Sequence, residues 1–332
     1  MMTEQRKVLD SISCNKKNGK MQDEAGTEKE ENLYAAGFFA RNDSTTDEDS
    51  VYSTDDSIDV SSPGCATTSK ITKLVLNDQG LELVFEESLG QELGCRLWTA
   101  ALMLCGHLRQ QQRDASTENS LFLRNKRVLE IGAGLGACGF VAAANGAAHV
   151  SIGECGPKSV ARLLQTYQTY QNAIPPYTDS NVSICRHLWE EDLEYLTAIE
   201  EGRTMETIWH WSKHGQDLSV PALDYDAKFD IVLGSDLLYF SSQEQPLLAA
   251  LRLHLSYNPN SVAIILQTMR TNNVSVFGRF VDSAIDYFDI EVLDVSPEDL
   301  CGTFYHKSFA NETPHTTGYK LLTLRRGNNH SP

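Results

Sequence analysis

From residue 70 onward the apolar positions follow two alternating rhythms. In "ITKLVLNDQGLELVFEES" they recur at every second residue on both sides of Asn77 to Gly80, which predicts a β-hairpin. "ELGCRLWTAALMLCGHL" then sets Leu97, Ala101, Leu104, Cys105 and Leu108 at helical spacing. Beyond Arg127 short apolar runs and amphipathic stretches take turns. "RVLEI" is followed by a helix over 136–146, "HVSIGE" by a helix opened at Gly156-Pro157, and "NVSICRH" leads on to "FDIVLGSD". The helix "EQPLLAALRLHL", the strand "SVAIILQ", the helix "VSVFGRFVDSAIDYF" and the strands "DIEVLDV" and "GYKLLTLRR" complete the series. This alternation predicts a three-layer α/β fold around a mostly parallel sheet.

Two stretches break the rhythm. Residues 1–69 are polar, and "NDSTTDEDSVYSTDDSIDVSSPG" within them carries seven acids and no base, so a disordered acidic tail is expected there. A catalytic domain is then expected over 70–328. Inside it, residues 190–226 read as a polar insertion containing Glu190, Glu191, Asp192, Trp209 and Trp211, a candidate lid or recognition element.

Composition narrows the chemistry. A net charge of −17 repels phosphate backbones, which argues against nucleic acid and for a cationic partner. No apolar stretch approaches the ~20 residues that span a bilayer, and the polar opening lacks a signal-peptide core, so no membrane association and a cytoplasmic location, with the nucleus open, are expected. The eight cysteines show no C-x-x-C pair, so neither a metal site nor a disulfide framework is expected.

The glycine-rich turn "RVLEIGAGLGACGF" raises the central question. Gly134, Gly136 and Gly139 fit the G-x-G-x-x-G of dinucleotide folds, while Glu130, Gly132, Gly134 and Gly136 fit E-x-G-x-G-x-G. Glu130 tips the balance. A carboxylate at the end of the first parallel strand repels pyrophosphate but suits a ligand with an amino group or a sulfonium, which favours S-adenosylmethionine. Glu154 ends the second strand about where an acid accepts hydrogen bonds from ribose hydroxyls, a device that nicotinamide folds share. "FDIVLGSDLLYF" delivers Asp236 to the carboxyl end of another buried strand. In doubly wound sheets ligands bind at that edge, where the strand order reverses.

Trp98 in "RLWTAALMLCGHL", the turn "VLEIGAGLGACG", the strand end at Glu154, Trp189 after the third strand and the D-x-x-Y of "GSDLLY" together resemble the family 16 methyltransferases. These are seven-β-strand, methyltransferase-like protein lysine methyltransferases. The likeness covers roughly 71–326. It implies a class I methyltransferase Rossmann-like sandwich with a seven-stranded, mostly parallel sheet and an N-terminal hairpin and helix extension. It also implies S-adenosyl-L-methionine held by Trp98, Glu130, Gly132, Ala133, Gly134, Glu154, Trp189 and Ser235. The activity it implies is N-methylation of a lysine in a non-histone protein by a monomeric enzyme. A small-molecule N-methyltransferase and a catalytically silent cofactor-binding scaffold are the alternatives on this framework. The chain departs from the family at Glu154, where Asp is usual, and in "HLWEE", where Glu190 replaces a glycine.

Asp236 and Tyr239 are the expected catalytic pair. Lysine methylation needs a neutral amine, and removing a proton from a free lysine at pH 7 costs about 4.6 kcal/mol. A carboxylate beside the amine raises its pKa, so Asp236 is cast as substrate anchor and orienting acceptor rather than base, with Tyr239 walling the alkyl stem. The competing view of Asp236 is a helix N-cap. Trp98 and Trp189 could equally be core residues, and His107 and His187 are expected to be structural.

Residues 1–69 contain few large apolar side chains. Their deletion is expected to leave melting temperature and cofactor affinity nearly unchanged; a loss of more than a few degrees would show that they fold onto the catalytic domain.

Overall fold

In a computed structural model the described residues are 69–88, 93–113, 122–173, 181–203, 220–301 and 316–326. The tail expected over 1–69, save Ser69, lies outside them. The chain enters as an antiparallel hairpin of β1 (Ser69–Val75) and β2 (Glu82–Ser88). Its turn is closed by Asn77 Oδ1, which accepts the backbone N–H groups of Gln79 and Leu81, both at 3.1 Å. Helix α1 (Thr99–Arg113) follows and buries Leu104, Cys105 and Leu108, the stripe its spacing predicts.

The parallel series then runs β3 (Arg127–Ile131), α2 (Ala137–Ala144), β4 (His149–Glu154), α3 (Pro157–Ala173), β5 (Asn181–Arg186), α4 (Trp189–Glu200) and β6 (Ile231–Ser235). It continues through α5 (Glu244–His254), β7 (Val262–Arg270), α6 (Val274–Ala284), β8 (Asp289–Val295), the short α7 (Pro297–Cys301) and β9 (Thr316–Arg325). The seven-stranded sheet has the order β5-β4-β3-β6-β7-β9-β8, with β9 antiparallel to both of its neighbours. Strand order therefore reverses between β3 and β6.

Alternation along the strands divides the core. Val128, Ile231 and Leu233 face α1, α2 and α3 through Leu108, Phe140 and Leu163. Leu129, Ile131 and Val232 face α5 and α6 through Leu247, Leu251, Phe277 and Phe280. Helices on both faces of a twisted parallel sheet make the three-layer sandwich that the sequence pattern predicts. No helix among the described residues is long and apolar enough to cross a membrane.

One expectation needs correction. The stretch read as an insertion from residue 190 begins as helix α4, and residues 204–219, with Trp209 and Trp211, lie outside the described residues. The buried face of α4 carries Asp192, Tyr195 and Ala198, so a charge stands where a helical stripe would show an apolar residue. Asp192 is fully enclosed between two imidazoles. His187 Nε2 lies 2.6 Å from its Oδ2 and His254 Nε2 lies 3.2 Å from its Oδ1, while His254 Nδ1 meets the carbonyl of Ala227 at 3.0 Å. These are the three side chains among the described residues grouped closely enough to share a metal ion, but their separations are those of hydrogen bonds. The cluster ties the end of β5 to α4 and α5.

Burial opposes the charge on Asp192, yet the hydrogen bonds and charge of His187 and His254 outweigh it and hold the carboxyl below its ordinary range. The group therefore contributes stability above the unfolded aspartate value of about 3.9, and that contribution is lost as pH falls through the lower folded value. Asp192→Ala is expected to cost about 3 to 5 kcal/mol in denaturant unfolding at pH 7, since it leaves the two histidines facing no carboxylate. A loss under 1 kcal/mol would show that the cluster holds nothing together.

Candidate active site

At the point where strand order reverses, β3 and β6 run side by side with Ile131 opposite Gly234. Past the strand ends at Ile131 and Ser235, Gly132 and Asp236 open two loops at the carboxyl end of the sheet. The first loop bends through left-handed conformations at Gly132 and Gly134, both with φ +55°. A side chain at Gly132 would meet Trp189 Cζ2 and Leu237 Cδ2 at 2.9 Å, and one at Gly134 would meet the carbonyl of Gly94 at 3.0 Å. Close approach as well as backbone conformation thus selects glycine at both positions. Trp189 lies against this turn, and the segment leading to α1 crosses it, pinned by Trp98 Nε1 donating to the carbonyl of Leu93 at 3.0 Å.

Glu154 closes the loop from the neighbouring strand. Its Oε2 accepts the N–H of Gly134 at 2.6 Å, and its Oε1 accepts those of Cys155 and Gly156 at 2.9 and 3.2 Å. Its carboxylate therefore borders the glycine turn and is engaged by backbone N–H groups.

Glu130 lies deeper than expected. It is 1% exposed, and its carboxylate accepts the N–H of Cys138 at 3.2 Å and of Gly139 at 2.7 Å, inside the first turn of α2. In dinucleotide-binding folds the N-terminus of this helix receives phosphate. Here a side chain of the protein already occupies it. The N–H groups of Cys138 and Gly139, which a phosphate at this helix end would need, are therefore already taken. Burial raises the Glu130 carboxyl to about 7, against the opposing effect of the two backbone hydrogen bonds.

The second loop is built on polar side chains that sequence reading missed. Asp236 is buried and takes the left-handed conformation with φ +54°, strained for a residue with a side chain. Gln267, fully buried on β7, holds the turn. Its Oε1 accepts the N–H groups of Leu237 and Leu238 at 3.0 and 2.9 Å, and its Nε2 donates to Asp236 Oδ1 at 2.9 Å. Asn273 donates to the carbonyls of Leu238 and Thr268 at 3.2 and 2.9 Å. Arg270 binds the Asp236 carboxylate through both terminal nitrogens, at 2.9 and 2.7 Å. Asp236 is thus no helix cap: its partners lie on the neighbouring strand. Tyr239 closes the turn, its ring centroid 6.3 Å from that of Trp98. Burial, followed by the charge of Asp236, pushes its phenol well above the ordinary tyrosine value, so it stands as a neutral hydroxyl.

The fold therefore gathers Trp98, Gly132, Ala133, Gly134, Glu154, Trp189, Ser235, Asp236 and Tyr239 at one edge of the sheet, with Glu130 beneath the turn. Gln267 carried a signal in the sequence: a lone amide ending an apolar run, which once buried needs partners.

Residues 77–201 match the family model described as lysine methyltransferase. Over 196 residues the chain is 27% identical to mouse EEF1A lysine methyltransferase 3, covering 58% of this chain and 65% of that protein, so it spans just under two thirds of the relative's length. Solved structures with a similar course include a putative SAM-dependent methyltransferase from Streptococcus mutans, at 14% identity and TM-score 0.41, covering 73% of this chain and 53% of that one. A putative RNA methyltransferase from Pyrococcus horikoshii follows at 12% identity and TM-score 0.39, covering 74% and 93%. The family model bears out the resemblance drawn from the sequence. Its matched residues include the glycine turn, Glu154 and Trp189, whereas the D-x-x-Y turn lies beyond them.

With a folded value near 7 against about 4.3 for a free glutamate, Glu130 favours the native state at low pH, and that contribution is lost as pH rises toward 7. The stability difference between the wild type and Glu130→Gln is expected to change by about 3 kcal/mol between pH 4.5 and 7.5. Parallel stability curves over that range would place Glu130 in a solvated setting.

Proposed function

We propose, for a chain that carries the lysine methyltransferase family model on a class I methyltransferase sheet, that it methylates a lysine side chain of a non-histone protein by in-line transfer, with S-adenosylmethionine as cofactor. The observation that carries this reading is the helix N-terminus filled by Glu130, which leaves the glycine turn for a phosphate-free nucleoside. S-adenosylmethionine, when bound, supplies an electrophilic methyl group on a sulfonium.

The residues of this chain then have separate tasks. Gly132, Ala133 and Gly134 form the floor, Glu154 accepts from the ribose, and Trp189 takes the adenine side. Trp98 and Ser235 complete the holding residues. Asp236 orients the acceptor nitrogen, and Tyr239 walls its alkyl stem and offers a hydroxyl. Enclosure by Trp98 and Tyr239 keeps water from the amine, which favours its neutral form.

The mouse relative's name makes a protein lysine the acceptor there, and this supports the same acceptor class here. The net charge of −17 favours a basic protein surface over nucleic acid as partner. A reducing location, the cytoplasm or nucleus, suits eight cysteines without C-x-x-C spacing.

Glu154→Ala is expected to weaken binding of S-adenosylhomocysteine ten- to a hundredfold in calorimetry, or about 1.5 to 3 kcal/mol. Unchanged affinity would remove Glu154 from the site. Asp236→Asn is expected to cut transfer of labelled methyl into lysate protein by orders of magnitude while sparing most of that affinity. Mass spectrometry of the labelled product should find the methyl on lysine. Label found only in small molecules, or in nothing across many lysates, would contradict the reading.

A further inference from the structure

The carboxylate that the proposed function sets beside the substrate nitrogen already has a cation. Arg270, at the end of β7, reaches back to Asp236 with Nη1 on Oδ1 at 2.9 Å and Nη2 on Oδ2 at 2.7 Å. Its guanidinium carbon lies 5.3 Å from the centroid of Tyr239 and 5.9 Å from that of Trp98. A cage of two aromatic rings and one carboxylate is a receptor for a cation. In this chain it holds one of the protein's own side chains.

Both partners are fixed from behind. Asp236 Oδ1 also receives Gln267 Nε2 at 2.9 Å and the N–H of Thr268 at 3.3 Å, and the backbone N–H of Arg270 donates to Asn273 Oδ1 at 2.8 Å. The Asp236 side chain is 1% exposed and that of Arg270 13%, so solvent does little to loosen the pair. A bidentate, largely enclosed pair of this kind is a fixed part of the site, unlike exposed ion pairs.

Charge decides what the cage can accept. Unpaired, Asp236 would attract an ammonium and hold its proton in place; an opposite charge within ~4–6 Å stabilises the charged form by 1–3 pKa units. Paired with Arg270, the two groups sum to zero. The remaining groups do not restore a negative field. From the same turn comes Tyr239, held neutral; from β9, Tyr319 interacts with Arg270; and Arg96 stands 5.0 Å from the Trp98 ring. Nothing among these attracts a cation once Arg270 has taken the carboxylate.

We infer that Arg270 is a positioning residue that cancels the charge of Asp236, so that the site receives the substrate nitrogen as a neutral amine instead of anchoring it as an ammonium. This rests on the reading of Trp98, Asp236 and Tyr239 as the acceptor end of the site. Asp236 keeps its orienting role and gives up the role of cation anchor.

The test uses the full chain and n-butylamine, which mimics the end of a lysine and is an ammonium at pH 7. The wild type is expected to show no saturable binding in calorimetry, while Arg270→Met binds n-butylammonium at least tenfold more tightly than either the wild type or Arg270→Met combined with Asp236→Asn. Arg270→Gln, which retains an amide donor for Asp236, serves if the Met variant unfolds. Binding by the wild type as tight as by the variants, or no gain in a folded variant, would overturn the inference.

Methyl transfer into lysate protein gives an independent reading. The acid limb of the pH–rate profile is expected to move up by about one unit in Arg270→Gln and to return toward wild type in Arg270→Lys. An equal loss at every pH would make Arg270 a strut and overturn the inference while leaving the proposed function intact. Absence of transfer by the wild type would count against the proposed function, and the n-butylamine titration would still decide the role of Arg270.

Discussion

The carboxylate of Glu130 in the first turn of α2 is the interaction on which the rest of the site depends. It stands one residue before the end of β3, supplies acceptors to two N–H groups that no helical carbonyl reaches, and so fixes where the helix starts relative to the sheet. With the helix start fixed, the glycine turn between Ile131 and Ala137 has one path. That path brings Gly134 onto Glu154 and Gly132 under Trp189. The same carboxylate closes the helix end to phosphate. A single buried side chain thus links strand, turn and helix.

The second loop follows a different logic. A left-handed aspartate is unfavourable alone, and it persists because β7 supplies an amide and a guanidinium, and the loop after β7 an asparagine, that together hold the turn. The first loop is therefore held by backbone and carboxylates, and the second by a side-chain network beside two aromatic rings. Under the proposed function this division sets a fixed cofactor against one loop and a flexible side chain against the other.

The sheet was legible in the chain because its central strands are nearly unbroken apolar runs bounded by turn residues, as in "RVLEI" and "FDIVLGSD". The hairpin was legible from Asn77 and Gly80. Helix α4 was not, because Asp192 occupies its buried face and its first turn carries three acids, which resembles a solvated loop. Gln267, Arg270 and Asn273 were equally hidden. Gln267 and Arg270 are separated from their partner Asp236 by 31 and 34 positions, and Asn273 from Leu238 by 35, and polar residues at the end of a strand look alike until the fold brings them together. Glu130 was expected to face the ligand; in the fold it is buried and caps a helix instead, because the first turn of α2 offers its carboxylate two N–H donors.

A glycine turn that serves a nucleoside cofactor without phosphates, as proposed, should tell S-adenosylhomocysteine from NADH in side-by-side calorimetric titrations of the full chain. Saturable, one-to-one binding of S-adenosylhomocysteine and no binding of NADH is the expected result; binding of NADH, or of neither, would rule that role out.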